Sequence, residues 1–219
     1  MLDLQIYAWI GAACAVLLLA TVLLCPTWLL QHDPIASAII ARTYAERNRR
    51  KPRRIILIRH AESQANKDKT IYARVPSHQI ELTPHGHDQA REAGLELKRL
   101  LRDETIMFYV SPFVRSQQTF HHLAAPFSKD QYRMKTDPRL REQEWGNLQD
   151  PQAIDECMKH RNAYGRFYYR FPSGESGADV FDRVSTFLES LFRQMTSDHP
   201  VENIVIVAHG LQIRLFLMR

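Results

Sequence analysis

Three short stretches hold residue types suited to handling an anion. Arg59-His60-Ala61-Glu62-Ser63-Gln64-Ala65-Asn66 follows directly on the apolar run at 54–58. A histidine beside an arginine that stays charged at any ordinary pH is well placed for an anionic substrate. Ser111-Pro112-Phe113-Val114-Arg115 follows a second apolar run, 106–110. With Ser111 as N-cap and Pro112 at the first helical position, Arg115 falls in an opening turn whose free amides already favour a phosphate. Its guanidinium adds a bidentate clamp. Ala208-His209-Gly210 follows a third apolar run, 204–208. Ligands of open α/β sheets bind at the C-terminal ends of strands, so the two histidines are expected to face one another across one pocket. His85-x-His87 and His121-His122 are read as surface histidines. The first pair lies in a helix's opening turn and the second are neighbours pointing apart, so neither suits a metal.

These residues need elements to position them. RIILI at 54–58 and IVIVA at 204–208 have the β-branched content of buried parallel strands, and IMFYV at 106–110 is a third candidate. A helix is expected over 84–102, with Thr83 as N-cap, Pro84 at the first position and Ala90, Ala93, Leu97 and Leu101 on one apolar face. Ser176 and Asp179 read as a capping-box-like start for a second helix, whose core stripe is Val180, Val184, Phe187, Leu191 and Met195. Short apolar strands alternating with amphipathic helices indicate an α/β fold.

The chain has 219 residues, 45% hydrophobic and 24% charged, with 8 Gly and 11 Pro, which excludes collagen-like, low-complexity and wholly disordered classes. Its 3 Cys support neither a disulfide framework nor a zinc site, and a reducing compartment is expected. Residues 6–30 carry no charge over 25 positions, where roughly 20 suffice to cross a bilayer, and Trp9 and Trp28 stand near the two ends. Arg42, Arg47, Arg49, Arg50, Lys51, Arg53 and Arg54 all follow this stretch. The expectation is a single-pass membrane protein with its catalytic domain in the cytosol, contacting the lipid bilayer through residues 6–30. The expected layout is a transmembrane anchor at 1–31, a basic linker at 32–52 and a domain at 53–219. No aromatics interleave the basic cluster to stack on bases, so nucleic acid is not an expected partner.

Taken in order, Arg59-His60-x-Glu62-Ser63-x-x-Asn66, Leu82-Thr83-x-x-Gly86-x-x-Gln89-Ala90, Ser111-Pro112-x-x-Arg115-x-x-x-Thr119, Leu140-x-Glu142 and His209-Gly210 resemble the histidine phosphatase (phosphoglycerate mutase-like) superfamily. The resemblance runs from about Arg53 to the end. The stretches at 140–147 and 171–176 are most similar to the fungal and plant phosphoglycerate mutase-like acid phosphatases. It implies a three-layer α/β/α sandwich around a mainly parallel sheet and a phosphomonoester hydrolase of the EC 3.1.3 class, with no metal and no cofactor. Position by position, it implies His60 as the nucleophile that becomes phosphohistidine and Glu142 as the proton donor. Arg59, Asn66, Arg115 and His209 would form the phosphate pocket, and Glu144 is the spare acid. The substrate would be a phosphorylated small molecule or a phosphoprotein.

The chain departs from that pattern in two places. Ala61 stands where the family usually has glycine, and a slower enzyme is expected if its methyl crowds the phosphate or stiffens the loop. The sequence stops at Arg219, inside the helix expected after the last strand, so the domain is expected to be truncated. With no later segment to cover the pocket, water is expected to reach a phosphohistidine, favouring hydrolysis over mutase transfer. A mutase or bisphosphatase of the same superfamily and a catalytically silent membrane scaffold are the alternatives. Residues 150–171, with Arg161, Arg166, Tyr168, Tyr169 and Arg170, are read as an insert loop that either binds an anion or coats a helix.

Overall fold

The computed structural model describes residues 34–49, 51–148, 150–195 and 201–218. The chain divides into two units, Met1–Arg49 and Arg50–Arg219. The described part of the first is a helix, α1 (Pro34–Arg49), lying in the stretch read as a linker. Among the described residues no helix is long and apolar enough to cross a membrane. This corrects the single-pass, cytosolic-domain localisation, which is withdrawn; the span expected at 6–30 lies outside the described residues.

The second unit is built on four parallel strands, β1 (Arg54–Arg59), β2 (Ile106–Val110), β3 (Tyr132–Thr136) and β4 (Asn203–Ala208), in the order β1-β4-β2-β3. Asn-Ile-Val-Ile-Val-Ala in β4 is buried at every position because it has a strand on each side and helices on both faces. The two-residue alternation of a strand then sorts its side chains between two cores. Val205 and Val207 join Phe108 and Val110 of β2 beneath α3 (Pro84–Leu101) and α4 (Val114–Ala124). Ile204, Ile206 and Ala208 join Tyr109 beneath α6 (Gly177–Met195) and α7 (Gly210–Met218). The remaining helices are α2 (Gln64–Lys67) and α5 (Pro151–Tyr164).

Five of the expected elements, β1, β2, β4, α3 and α6, form close to their expected bounds, and their details differ where packing intervenes. Thr83 caps α3 by accepting from the Gly86 amide at 2.9 Å, but the buried face is Gly86, Ala90, Gly94, Leu97 and Leu101, while Ala93 is exposed. Asp179 accepts from the Ser176 amide and hydroxyl at 2.7 Å, which holds its carboxyl down at about 2. β1 is not a buried strand but an edge, with Ile55 exposed. β3 and α5 were not expected as elements: β3 is a mostly exposed polar edge, and α5 replaces part of the insert loop, capped by Asp150.

Phe108 is wholly buried in β2, edge-on to Phe120 at 5.1 Å and to Tyr132 at 5.7 Å. Phe108→Ala removes the ring on which α4 and β3 meet, so a loss of roughly 3 to 5 kcal/mol is expected from urea unfolding, read as a lower midpoint at unchanged slope.

Candidate active site

Parallel register brings three strand ends level. The His60 amide donates to the Ala208 carbonyl at 3.0 Å and the Ser111 amide to the Val207 carbonyl at 2.9 Å, so His60, His209 and Ser111 leave β1, β4 and β2 side by side. The His60 and His209 rings lie 5.1 Å apart at 59°. A fourth strand end supplies the carboxylate. The Asp137 amide donates to Val110, a short turn over Pro138–Leu140 follows β3, and Glu142 comes next.

Both histidines are buried, His209 completely. The Nδ1 of His60 lies 2.8 Å from the Ala61 carbonyl, which can only accept; Nδ1 therefore carries the proton and Nε2 keeps its lone pair. Burial, then the Arg115 charge, lowers the His60 pKa from 6.5 to about 4, with Arg59 adding to the effect. His209 is pushed well below its ordinary value by burial, then by Arg115 and His60. Its Nε2 meets the Ser111 hydroxyl at 2.8 Å, while its buried Nδ1 has no hydrogen-bond partner and stands 3.8 Å from Glu142 Oε2.

Arg115 joins these parts. It lies in the first turn of α4, 2% exposed, and donates to Glu142 Oε2 and to the Ser77 carbonyl, with its guanidinium carbon 4.8 Å from the Phe113 ring centre. The helix starts two residues later than the sequence implies: Phe113 is the N-cap, and the Ser111 hydroxyl serves His209 instead of capping. Arg59 is exposed at the end of β1, and its side chain passes over the start of α7, with Nε 3.9 Å from where a Cβ at 210 would stand. Asn66 is engaged differently: its Oδ1 accepts from the Ser63 amide and hydroxyl, both at 2.9 Å. Glu144 is exposed.

Much of the sequence pattern proves to be scaffold for the loop after β1. Thr83 donates to Glu62 Oε1 at 2.6 Å, Gln89 accepts from the Glu62 amide at 3.0 Å, and Thr119 accepts from the Ala61 amide at 3.1 Å. At Gly86 a Cβ would stand 2.0 Å from the Glu62 carbonyl oxygen, so any side chain there forces α3 off this loop. Ala61 keeps an ordinary backbone, since the described non-glycine residues of positive φ are Arg102 and Ser173. The loop therefore does not need glycine's freedom at 61. Of the histidines read as surface, His85 and His121 are exposed, but His87 and His122 are half-buried between α3 and α4 with Nδ1 and Nε2 2.8 Å apart.

The residues that hold Glu142 were not singled out from sequence. Arg183 of α6 grips both Glu175 oxygens at 2.9 Å and donates to the Arg139 and Glu142 carbonyls at 2.6 and 3.2 Å. Arg141 adds a third contact to Glu175, and Gln212 donates to the Arg141 carbonyl. Burial opposes charge on Glu175, yet the Arg183 hydrogen bond and the Glu144 amide outweigh it and hold its carboxyl below the ordinary range. The stretch at 171–176, quoted above for its resemblance, was the available signal.

Comparison with known proteins agrees with this geometry. Residues 55–219 match the family profile of the histidine phosphatase superfamily (branch 1). A phosphoglycerate mutase-like protein of Arabidopsis thaliana is 43% identical over 186 residues, covering 78% of this chain and 58% of its own; the chain thus spans about three fifths of that relative. A broad-range acid phosphatase of Saccharomyces cerevisiae is 31% identical over 262 residues, covering 77% of this chain and 78% of its own. Among solved structures, a mycobacterial glucosyl-3-phosphoglycerate phosphatase has the same fold, with a TM-score of 0.58 at 24% identity over 74% of this chain and 76% of its own.

The electrostatics can be measured directly. By NMR titration the His60 ring is expected to stay neutral down to a midpoint near 4, and Arg115→Gln is expected to move that midpoint upward. The unfolded chain takes the same proton near 6.5, so between those two values the unfolded state binds more protons. The contribution of His60 to stability is therefore full above 6.5 and is lost as pH falls toward 4. His60→Asn is expected to flatten the slope of folding free energy in that window.

Proposed function

Because the chain belongs to the histidine phosphatase superfamily, we propose that it hydrolyses phosphomonoesters through a phosphohistidine formed at His60. The observation that carries this reading is the state of His60: neutral, its Nδ1 proton committed to Ala61, its Nε2 lone pair left beside a buried arginine. A phosphoryl group in transfer spreads negative charge over its equatorial oxygens, and positioning plus preorganised positive groups supply most of the catalysis. Arg115, Arg59 and the unpartnered Nδ1 of His209 are the groups available to those oxygens, while Asn66 is engaged with Ser63.

In this mechanism Nε2 of His60 attacks phosphorus and the bond from phosphorus to the ester oxygen breaks. The leaving oxygen takes a proton from Glu142. Glu142 is bound to Arg115 in the free site, so an arriving phosphate dianion competes for the same guanidinium. Two anions side by side are relieved when Glu142 holds a proton, which is then available to the leaving group. Water next attacks the phosphohistidine, Glu142 accepts its proton, and phosphate leaves with His60 restored. Ser111, through Nε2 of His209, keeps that ring oriented.

Brief exposure to 32P-labelled substrate is expected to give an acid-labile, base-stable label that His60→Ala lacks. Turnover in that variant should fall by about three orders of magnitude or more; a His60→Ala protein that still labels and turns over would show the assignment to be wrong. Since the neutral imidazole is the reactive form, kcat/KM is expected to hold as pH falls past 6.5 and to drop only near 4, the protonation range of His60.

A further inference from the structure

A cavity of about 560 Å³ opens beside the Arg115–Glu142 pair, and the mechanism above does not use most of it. Glu142 and Phe113 line it, as does Ser77, whose carbonyl holds Arg115, so it adjoins the point where the leaving oxygen would receive its proton. Its walls are strongly aromatic. Tyr72 and Trp145 face each other with ring centres 5.5 Å apart at 43°, and His78 and Phe113 stand edge-on at 6.4 Å.

The Trp145 wall is fixed from behind. Its ring stacks on the wholly buried Phe171 at 5.6 Å and 20°. The next residue, Gly146, has φ +73°, and a Cβ there would stand 2.2 Å from the Pro172 carbonyl oxygen, so glycine lets the two loops close on each other. The wall that Trp145 forms with Tyr72 is thus largely in place before any ligand arrives.

Its charges are as informative as its rings. The lining arginine, Arg141, has its charge met by Glu175 in a 2.5 Å contact and Glu142 is bound to Arg115, whereas Glu144 lines the cavity exposed. No lysine is among the lining residues. A second phosphate or a carboxylate on the substrate would find no free guanidinium among the described lining residues and would meet the exposed Glu144 carboxylate. Burial and the charge of Glu142 keep the Tyr72 phenol protonated, leaving a neutral hydroxyl as a polar contact in the wall.

We propose that this cavity is the leaving-group subsite for the phosphomonoesters of the reaction above, and that it selects an uncharged aromatic or flat apolar alcohol over one bearing a second anionic group. The proposal rests on the reading of His60 and Glu142 as the phosphoryl-transfer pair: the ester oxygen leaves beside Glu142 and its carbon substituent lies in the cavity against the aromatic wall that Tyr72 and Trp145 form together. Aromatic faces reward a flat ring through stacking and burial, and the Glu144 carboxylate penalises an anion.

The test separates recognition from chemistry. With the full chain, calorimetric binding is compared for benzylphosphonate, ethylphosphonate and phosphonoacetate, which need no turnover. Then kcat/KM is compared for benzyl phosphate, ethyl phosphate and 3-phosphoglycerate, all of which expel alkoxides. Benzyl compounds are expected to be favoured about tenfold or more in both series, mainly through affinity and KM, with phosphonoacetate and 3-phosphoglycerate the poorest. Trp145→Ala and, on the ring packed against it, Tyr72→Leu should shrink the benzyl-to-ethyl ratio to about threefold or less. Glu144→Lys, an exposed change that spares the core, should improve phosphonoacetate binding relative to benzylphosphonate by about fivefold. Equal affinity for benzyl and ethyl phosphonates, or ratios that none of the three variants moves, overturns the subsite even if hydrolysis is fast. Aromatic selectivity in binding without hydrolysis of any ester supports the subsite and overturns the reaction instead.

Discussion

A guanidinium removed from water must be met by partners or its desolvation cost goes unopposed, and Arg115 meets that requirement with three different parts of the chain. It sits 2% exposed at the start of α4, bound to the Glu142 carboxylate, to the Ser77 carbonyl and to the face of Phe113. The same charge is second only to burial in keeping both histidines neutral. One buried cation thus bears on the protonation state of His60, the proposed nucleophile, holds the Glu142 carboxylate close to His209 and packs on Phe113 in the wall of the adjoining cavity. In the proposed reaction its partnership with Glu142 is also exchangeable, because a phosphate offers the guanidinium a better bidentate acceptor than a lone carboxylate oxygen.

Such an exchange works only if the loop bearing Glu142 stays in place when its carboxylate lets go. The backbone of 139–144 is held from the other side, by Arg183 on two carbonyls, Gln212 on a third and Glu175 on the Glu144 amide. The Arg183–Glu175 pair is itself nearly buried and bidentate, the geometry in which an ion pair is most directional. On the nucleophile's side the corresponding restraint comes from Thr83, Gln89 and Thr119, each bonded to the loop at 61–62. Side chains outside the proposed reacting groups therefore set the separation between the loops that carry His60 and Glu142.

The sequence revealed what local pattern determines. β2 and β4 are short β-branched runs, α3 begins with Thr83-Pro84, and α6 begins with Ser176-x-x-Asp179, so each was readable from its own residues. β3 was hidden because an exposed edge strand needs no apolar alternation: Tyr-Arg-Met-Lys-Thr gains its place from pairing with β2, not from burial. β1 looked like an interior strand, since edge and interior positions in a parallel sheet can have the same composition and only topology separates them. At the site, His60, Arg115, Glu142 and His209 were all named in advance, the acid through family resemblance alone. Ser111 was named as a cap, the wrong partner for its hydroxyl, because the choice between a helix amide and a ring nitrogen depends on β4 arriving alongside. Arg183 and Glu175 could not be paired from sequence, since a lone arginine on an amphipathic helix ordinarily reads as solvated.

The loop at 139–148 ties chemistry to selectivity. Glu142 is two residues from Glu144 and three from Trp145, and all three line the cavity. The acid and the aromatic wall therefore share one stretch of backbone, fixed at one end by Arg183 and at the other by the close approach of Gly146 to the loop at 172–173. A change that repositions Trp145 to admit a different alcohol must also move Glu142 relative to Arg115, unless the shift is absorbed between 142 and 145. The Glu144 side chain, exposed and with its backbone already held by Glu175, can vary without disturbing either anchor. Preference among leaving groups should thus be adjustable by charge at 144 more readily than by shape at 145.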